Sequence, residues 1–293
     1  MLENVEELNF ASKAKMIEEM IKLQINGEIE TAGGDQSSVK GNEGQVLRMM
    51  WANGANYNPL CNPVMSSWAK DCYEGKLNEV KEHLAENPNL LEQRESTLRM
   101  AGLHHVIAGA RTINPIPSNA KAFPEKVRVK VTDSTDHIGC IKYLIEQGAR
   151  VEAKDVAGHT PLHHCTTLVG NNLTLKIAKV LIEVGGADVN SINRFGETPL
   201  VAPVRDGRSD YVEMLIENGA QMNITENDGV NLLQLAHCLP FPTKISEMMS
   251  KAGASHAKFE QKVAKADGLY KSCAICKNTD ATKRCTGCYM KWY

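Results

Sequence analysis

Three strings recur along this chain at nearly even intervals: Gly158-His-Thr-Pro-Leu162, Gly196-Glu-Thr-Pro-Leu200 and the weaker Gly229-Val-Asn-Leu-Leu233. Each is followed by a helix-compatible stretch and a Gly-Ala pair, at Gly186-Ala187, Gly219-Ala220 and Gly253-Ala254, with an earlier copy at Gly148-Ala149. The alanines of these pairs are 38, 33 and 34 residues apart, a period near 33 with one insertion. One such unit is too small to bury its own apolar stripe, so neighbouring units must stack.

Inside a unit the local chemistry is legible. Thr160-Pro161 and Thr198-Pro199 place a capping hydroxyl before a proline at the first helical position, where its missing N–H is no loss. A second helix follows, with Leu144-Ile145, Leu181-Ile182 and Leu215-Ile216 at equivalent places and Ile141, Ala178 and Val212 one turn earlier on the same face. Gly148, Gly186, Gly219 and Gly253 are expected to end those helices in the left-handed conformation. Asn227-Asp-Gly229 and Arg194-Phe-Gly196 mark the turns between units.

The chain resembles ankyrin-repeat proteins in combining Thr160-Pro-Leu-His163 with Gly186-Ala-Asp-Val-Asn190 at this period. The resemblance implies an all-α solenoid of helix-turn-helix repeats with short β-turn tips, over about 64–258. The clearest repeats are 155–190 and 191–223, with a degenerate one at 224–258 and divergent ones at 64–95 and 96–154. Ser67–Gly75 and Leu77–Leu84 are the helices expected of the first, and Thr97–Ala110 the first helix of the second. An insertion at 111–135 interrupts the latter. It contains Pro115, Pro117, Pro124 and the alternating Val127-Arg-Val-Lys-Val131, and carries Arg111, Lys121, Lys126, Arg128 and Lys130. It reads either as a solvated loop with a short edge strand or as a partner-binding excursion. His163 matches the family's structural histidine, which hydrogen-bonds backbone in the turn, and His104-His105 stands at the matching point of the second repeat.

Outside the array, residues 1–30 read as an amphipathic helix, with Leu8, Met16, Met20 and Leu23 on one face. Residues 31–63 read as a flexible linker, because 31–45 hold four glycines and almost nothing to bury. Aromatics are only 5%, so the core is expected to be aliphatic, with Trp68 and the methionine pairs packing. The net charge of −2 argues against a dedicated nucleic-acid binder. The acidic start, Met1 to Leu8, lacks the blocks of a signal peptide, and no apolar run approaches the roughly 20 residues that cross a bilayer. The expectation is a soluble protein of the cytoplasm, nucleus or both, without a membrane partner.

Five of the nine cysteines, Cys61, Cys72, Cys140, Cys165 and Cys238, are scattered and expected to be buried. The others form Cys273-x2-Cys276-x8-Cys285-x2-Cys288, two thiolate pairs suited to tetrahedral Zn²⁺, flanked by Lys271, Lys277, Lys283, Arg284 and Lys291. After a linker helix at 259–271, the segment 272–293 resembles the opening half of a MYND-type zinc finger. That resemblance implies interleaved ligands, with Cys273 and Cys276 serving one ion and Cys285 and Cys288 a second. The sequence ends at Tyr293, where the family's third ligand pair begins. A truncated chain is therefore expected, binding at most one Zn²⁺ where a complete finger binds two. The alternative is that all four cysteines close round a single zinc.

No phosphate loop, dinucleotide fingerprint, metalloprotease helix or nucleophile elbow is present in the sequence, so no catalytic residue is assigned and an enzyme is not expected. The function expected is that of a protein-binding adaptor or scaffold. A concave face of turn tips and first helices would grip another protein. The finger would be a second reader, whose family often binds short proline-containing peptides. The tips near Asp155–Gly158, Asn193–Gly196 and Asn227–Gly229 are the natural contact candidates. Two rivals are a regulatory fragment of a larger methyltransferase or ubiquitin-pathway enzyme, and a zinc-dependent nucleic-acid binder. The second draws on nine basic against three acidic residues between Lys251 and Tyr293.

Overall fold

The computed structural model describes residues 37–55, 65–95, 98–113, 129–167, 171–238, 245 and 247–251. Helix α1 (Gly41–Ala55) is followed by α2 (Ser67–Glu74), α3 (Leu77–Glu86), a 3-10 turn (Pro88–Leu91) and α4 (Gly102–Thr112). Then come α5 (His137–Glu146), α6 (Pro161–Thr166), α7 (Asn172–Glu183), α8 (Val201–Arg205), α9 (Ser209–Glu217) and α10 (Leu232–Cys238). Among the described residues the only β pairing is isolated bridges, at Lys76–Thr135, Glu95–Met100 and Thr225–Asn231. The all-α solenoid is therefore what the repeats form.

Each repeat ends its second helix in the same way. Gly148, Gly186 and Gly219 sit at φ +89°, +67° and +86°, a region a side chain resists. The alanine after each glycine then donates its N–H back to the helix, to Leu144 O and Leu215 O five residues earlier and to Leu181 O six residues earlier, at 2.9 Å in all three cases. Those three leucines, with Ile141, Ala178 and Val212, are fully buried in one continuous aliphatic core. Stacking supplies the apolar surface that each unit lacks alone.

Helix starts follow the expectation at one proline and depart from it at the other. Thr160 caps α6 through a long hydrogen bond from His163 N to its Oγ1, 3.5 Å, with Pro161 at the first position. In the next repeat α8 begins at Val201, and the buried Thr198 Oγ1 has no hydrogen-bond partner. Its backbone carbonyl takes the first bond instead, from Val201 N at 3.0 Å.

Four expectations are corrected. Residues 31–63 are not simply a flexible linker: Gly41–Ala55 is a 15-residue helix, because Val39, Leu47 and Trp51 find an apolar surface to cover. The insertion does not start at 111, since Arg111 and Thr112 are buried in the last turn of α4. Val129, expected in an edge strand, is buried and held by a 3.0 Å bond from its N–H to Thr112 Oγ1, outside any strand. Helix α4 also begins at Gly102 rather than Thr97, after a turn closed by reciprocal bonds between Glu95 and Met100. Cys72, Cys140 and Cys165 are free and buried, as expected. The helix expected at 1–30, most of the insertion, the linker helix at 259–271, the 272–293 segment and Cys61 lie outside the described residues.

Candidate protein-recognition face

The turn tips are built on one plan. Asp155 N donates to His159 O at 3.0 Å, Asn193 N to Glu197 O at 3.0 Å and Glu226 N to Val230 O at 2.9 Å, closing equivalent hairpin-like loops. Gly158, Gly196 and Gly229 turn each loop at φ between +78° and +85°. Successive tips are then joined by single backbone bonds: Val156 N to Leu98 O, Arg194 N to Ala157 O and Asn227 N to Phe195 O. The result is a ladder of tips along one edge of the stack.

Histidines lock the second repeat to the third and the third to the fourth. His104 Nδ1 accepts from Ala101 N at 3.1 Å, and its Nε2–H donates to His159 O at 3.2 Å. His163 repeats the arrangement one unit later, accepting from Thr160 N at 3.2 Å and donating to Glu197 O at 3.2 Å. One ring nitrogen accepts and the other donates, so both rings are neutral with the proton on Nε2. Burial pushes both imidazoles well below their ordinary value. The structural role expected for His163 and His104 is the one the structure gives them. In the following unit Val201 occupies this place and offers no donor.

Asp155, at the head of its tip, is fully buried. Its Oδ1 accepts from Ala157 N at 2.8 Å and His159 N at 2.9 Å, which shapes the turn. Its Oδ2 accepts from His164 Nε2 at 2.9 Å and from Trp51 Nε1 at 2.6 Å. Burial by itself would raise this carboxyl, but the interactions with His159 and His164 outweigh it and hold the group well below the usual carboxylate range. The Asp155–His164 pair resembles a catalytic dyad only in outline. His164 is buried, its Nδ1 has no partner, and burial pushes its imidazole down to about 4. It serves here as a neutral donor.

Trp51 comes from α1, and with it the site becomes a composite. Residues 37–55 lie across the tips: Val39 N donates to Arg194 O at 2.8 Å, Asn227 Nδ2 to Val39 O at 3.0 Å, and Gly41 N to Asp228 Oδ1 at 2.7 Å. Arg194 Nε returns a bond to Ser37 O at 2.9 Å. One turn before Trp51, Arg48 stacks its guanidinium over Phe195, 4.1 Å from the ring centroid. It also pairs with Glu197, with Glu226 at 3.2 Å and with Asp228 at 3.7 Å. Burial would raise the Glu197 carboxyl, yet Arg48 and a 3.0 Å bond from Asn193 Nδ2 bring it down overall. The Trp51 ring lies 4.4 Å from the His159 ring and 5.5 Å, edge-on, from His164. Val39, Leu47 and Trp51 belong to a second apolar cluster with Leu98, Met100, Ala108, Ala157 and Phe195, separate from the helical core.

The tips proposed from sequence as contact residues are therefore largely covered. Asp155, Ala157, Asn193 and Phe195 are buried, while Ile192 and Val230 beside them remain 53% and 42% exposed. The sequence reading missed Arg48 and Trp51 because the glycines of 31–45 carried the linker reading on through residue 63, past the apolar run Val46-Leu-Arg-Met-Met-Trp51. An indole and a cation one turn apart were the available signal. Cys273, Cys276, Cys285 and Cys288 lie outside the described residues. Among the described residues no group of three or more His, Cys, Asp or Glu is arranged to hold a metal ion, and no helix is long and apolar enough to cross a membrane.

Comparison with known proteins matches residues 157–194 to the ankyrin repeat family model. Human Rabankyrin-5 is 27% identical over 161 residues, 55% of this chain and 12% of that protein. The yeast probable 26S proteasome regulatory subunit p28 is 33% identical over 96 residues, 32% of this chain and 40% of that protein. The Bos taurus protein named Ankyrin repeat domain-containing protein 37 is 30% identical over 111 residues, 38% of this chain and 67% of that protein. The chain thus spans well under half the length of the first two relatives.

Proposed function

We propose that this chain, which belongs to the ankyrin-repeat family, acts by recognising other proteins along its turn tips and first helices, as an adaptor or scaffold and not as an enzyme. The observation that carries the reading is that this face already holds a peptide segment. A cation sits on three carboxylates and an indole N–H on a buried aspartate, over an apolar floor. Anchors of this kind, an aromatic and an arginine at the centre of a contact, dominate protein interfaces.

Photo-crosslinking tests it. A benzophenone side chain replaces Ile192 or Val230 beside the tips, or Lys179 on the exposed side of α7. Crosslinks to other proteins in cell extract are expected at the two tip positions and not at Lys179. Equal labelling at all three, or labelling at Lys179 alone, would remove the tips from recognition.

The proposal extends to the segment 272–293 as a MYND-type zinc module and second reader of proline-containing peptides. The support is its donor set: four thiolates in two Cys-x2-Cys pairs are soft ligands suited to Zn²⁺, and the basic flanks offset their charge. Cys273 and Cys276 would hold one ion and Cys285 and Cys288 another, or all four a single ion. At most one tightly held zinc per chain is expected from metal analysis of the purified protein, and it is lost in Cys273→Ser/Cys276→Ser. Two retained ions would refute that count, and no zinc at all would remove the metal site. Free buried thiols at Cys72, Cys140 and Cys165 suit a reducing compartment, so cytoplasm, nucleus or both is the proposed location.

A further inference from the structure

We propose that residues 37–55 are a built-in competitor for the recognition face, and that the partner displacing them presents a helix with an arginine and a tryptophan one turn apart. The inference deepens the recognition reading and rests on it.

Several observations converge on this assignment. The segment is joined to the first repeat by the nine residues between Ala55 and Met65, yet it docks on the third to fifth repeats. Its partners Asp155, Arg194, Glu197 and Asn227 are 104 to 188 residues away in sequence. Its contacts have the two parts of a peptide-recognition mode. Residues 37–41 join the tip ladder through their own backbone, by one bond to the Arg194 carbonyl and by bonds to the side chains of Asn227 and Asp228, and α1 then lays Arg48 and Trp51 into side-chain sites, as an anchored helix lies in a groove.

The receiving surface is specific. Glu197, Glu226 and Asp228 are three carboxylates that converge on a single cation, Arg48. Their mutual repulsion shows at Glu226, whose carboxyl is raised by burial first and by Glu197 second. A ligand lacking a cation there would leave the acids facing one another, and one lacking an N–H donor would leave Asp155 Oδ2 a hydrogen bond short. Charge complementarity and hydrogen-bond demand therefore select Arg-x-x-Trp on a helix over a plain apolar peptide. Because the resident segment is tethered, it competes as an intramolecular ligand, and an outside peptide pays for its removal in apparent affinity.

The probe is a fluorescent synthetic peptide of residues 37–55, added to the full chain. The variant Arg48→Glu/Trp51→Ala empties the face without altering the carboxylates or Asp155. The peptide is expected to bind this variant at least tenfold more tightly than wild type. Binding should be lost when the peptide itself carries Trp51→Ala, or when the variant chain also carries Glu197→Gln/Glu226→Gln. Equal affinity for both chains, or no binding to the opened chain, would overturn the proposal.

A second measurement avoids the variant and its folding. Adding isotope-labelled 37–55 peptide to wild-type chain should raise amide exchange in the chain's own residues 41–55, and unchanged exchange at saturating peptide would also overturn it. The recognition reading fails separately, through the crosslinking pattern at Ile192, Val230 and Lys179. Tip crosslinks combined with equal peptide affinity would leave recognition standing and remove only the competitor.

Discussion

Single side chains in this molecule serve two elements at once. Asn171 is the clearest case. Its Oδ1 accepts from Leu173 N at 2.9 Å and Thr174 N at 3.0 Å, capping the start of α7. Its Nδ2 donates to Ala110 O, Arg111 O and Ile113 O at the end of α4, at 2.9, 3.3 and 2.6 Å. In an isolated helix aspartate and asparagine cap equally well. Here a carboxylate would face three carbonyl oxygens with no hydrogen to give. Asn171→Asp is therefore expected to destabilise the chain at least as much as Asn171→Ala, by about 2 kcal/mol or more, in urea unfolding at neutral pH. An Asp variant close to wild type would show that the α4 carbonyls do not depend on this side chain. The second job of Asn171 has no local signature, because the α4 carbonyls lie about 60 residues away.

At the scale of elements, periodicity located the second helices of the repeats well. Leu144, Leu181 and Leu215 fall at equivalent depth because each repeat returns its leucine to the same kind of neighbour. Helix starts were less secure. Thr160-Pro161 and Thr198-Pro199 are alike in sequence, yet only the first threonine caps with its hydroxyl. The first residues of α8 take a tighter turn, and the carbonyl of Thr198 substitutes for its side chain. Helix α4 shows a further tertiary demand. A Cβ on Gly109 would come 1.7 Å from Tyr73 O of α2, so this glycine is required by close approach of two repeats and not by a turn. Such a requirement has no local signature. Helix α1 is the strongest example, since a stretch bearing four glycines across residues 31–45 read as linker. The face of Phe195, Ala157 and Leu98 makes part of it a helix.

The whole molecule carries a row of histidines that it keeps neutral. Burial lowers His104, His137 and His163, takes His105 to about 3 and takes His164 to about 4. An unfolded chain protonates these rings near their ordinary value of about 6.5, so between there and pH 4 the unfolded state binds more protons. Stability must then fall as pH falls. His105 and His164 together give a slope of about 3 kcal/mol per pH unit across that window. The lowered carboxyls of Asp155 and Glu197 act in the same direction at lower pH still. The urea midpoint is expected to drop steeply between pH 7 and pH 5, and a midpoint that stays level or rises would show that the rings are protonated in the fold. What the sequence by itself determined was the repeating unit, its helix ends and the obligation to stack, because these follow from contacts within about one repeat. Only the tertiary structure decided which surface the stack presents and what lies on it. That outcome turns on Trp51 meeting Asp155 and Arg48 meeting Glu197, pairs separated by more than 100 residues, and no local propensity or spacing encodes them.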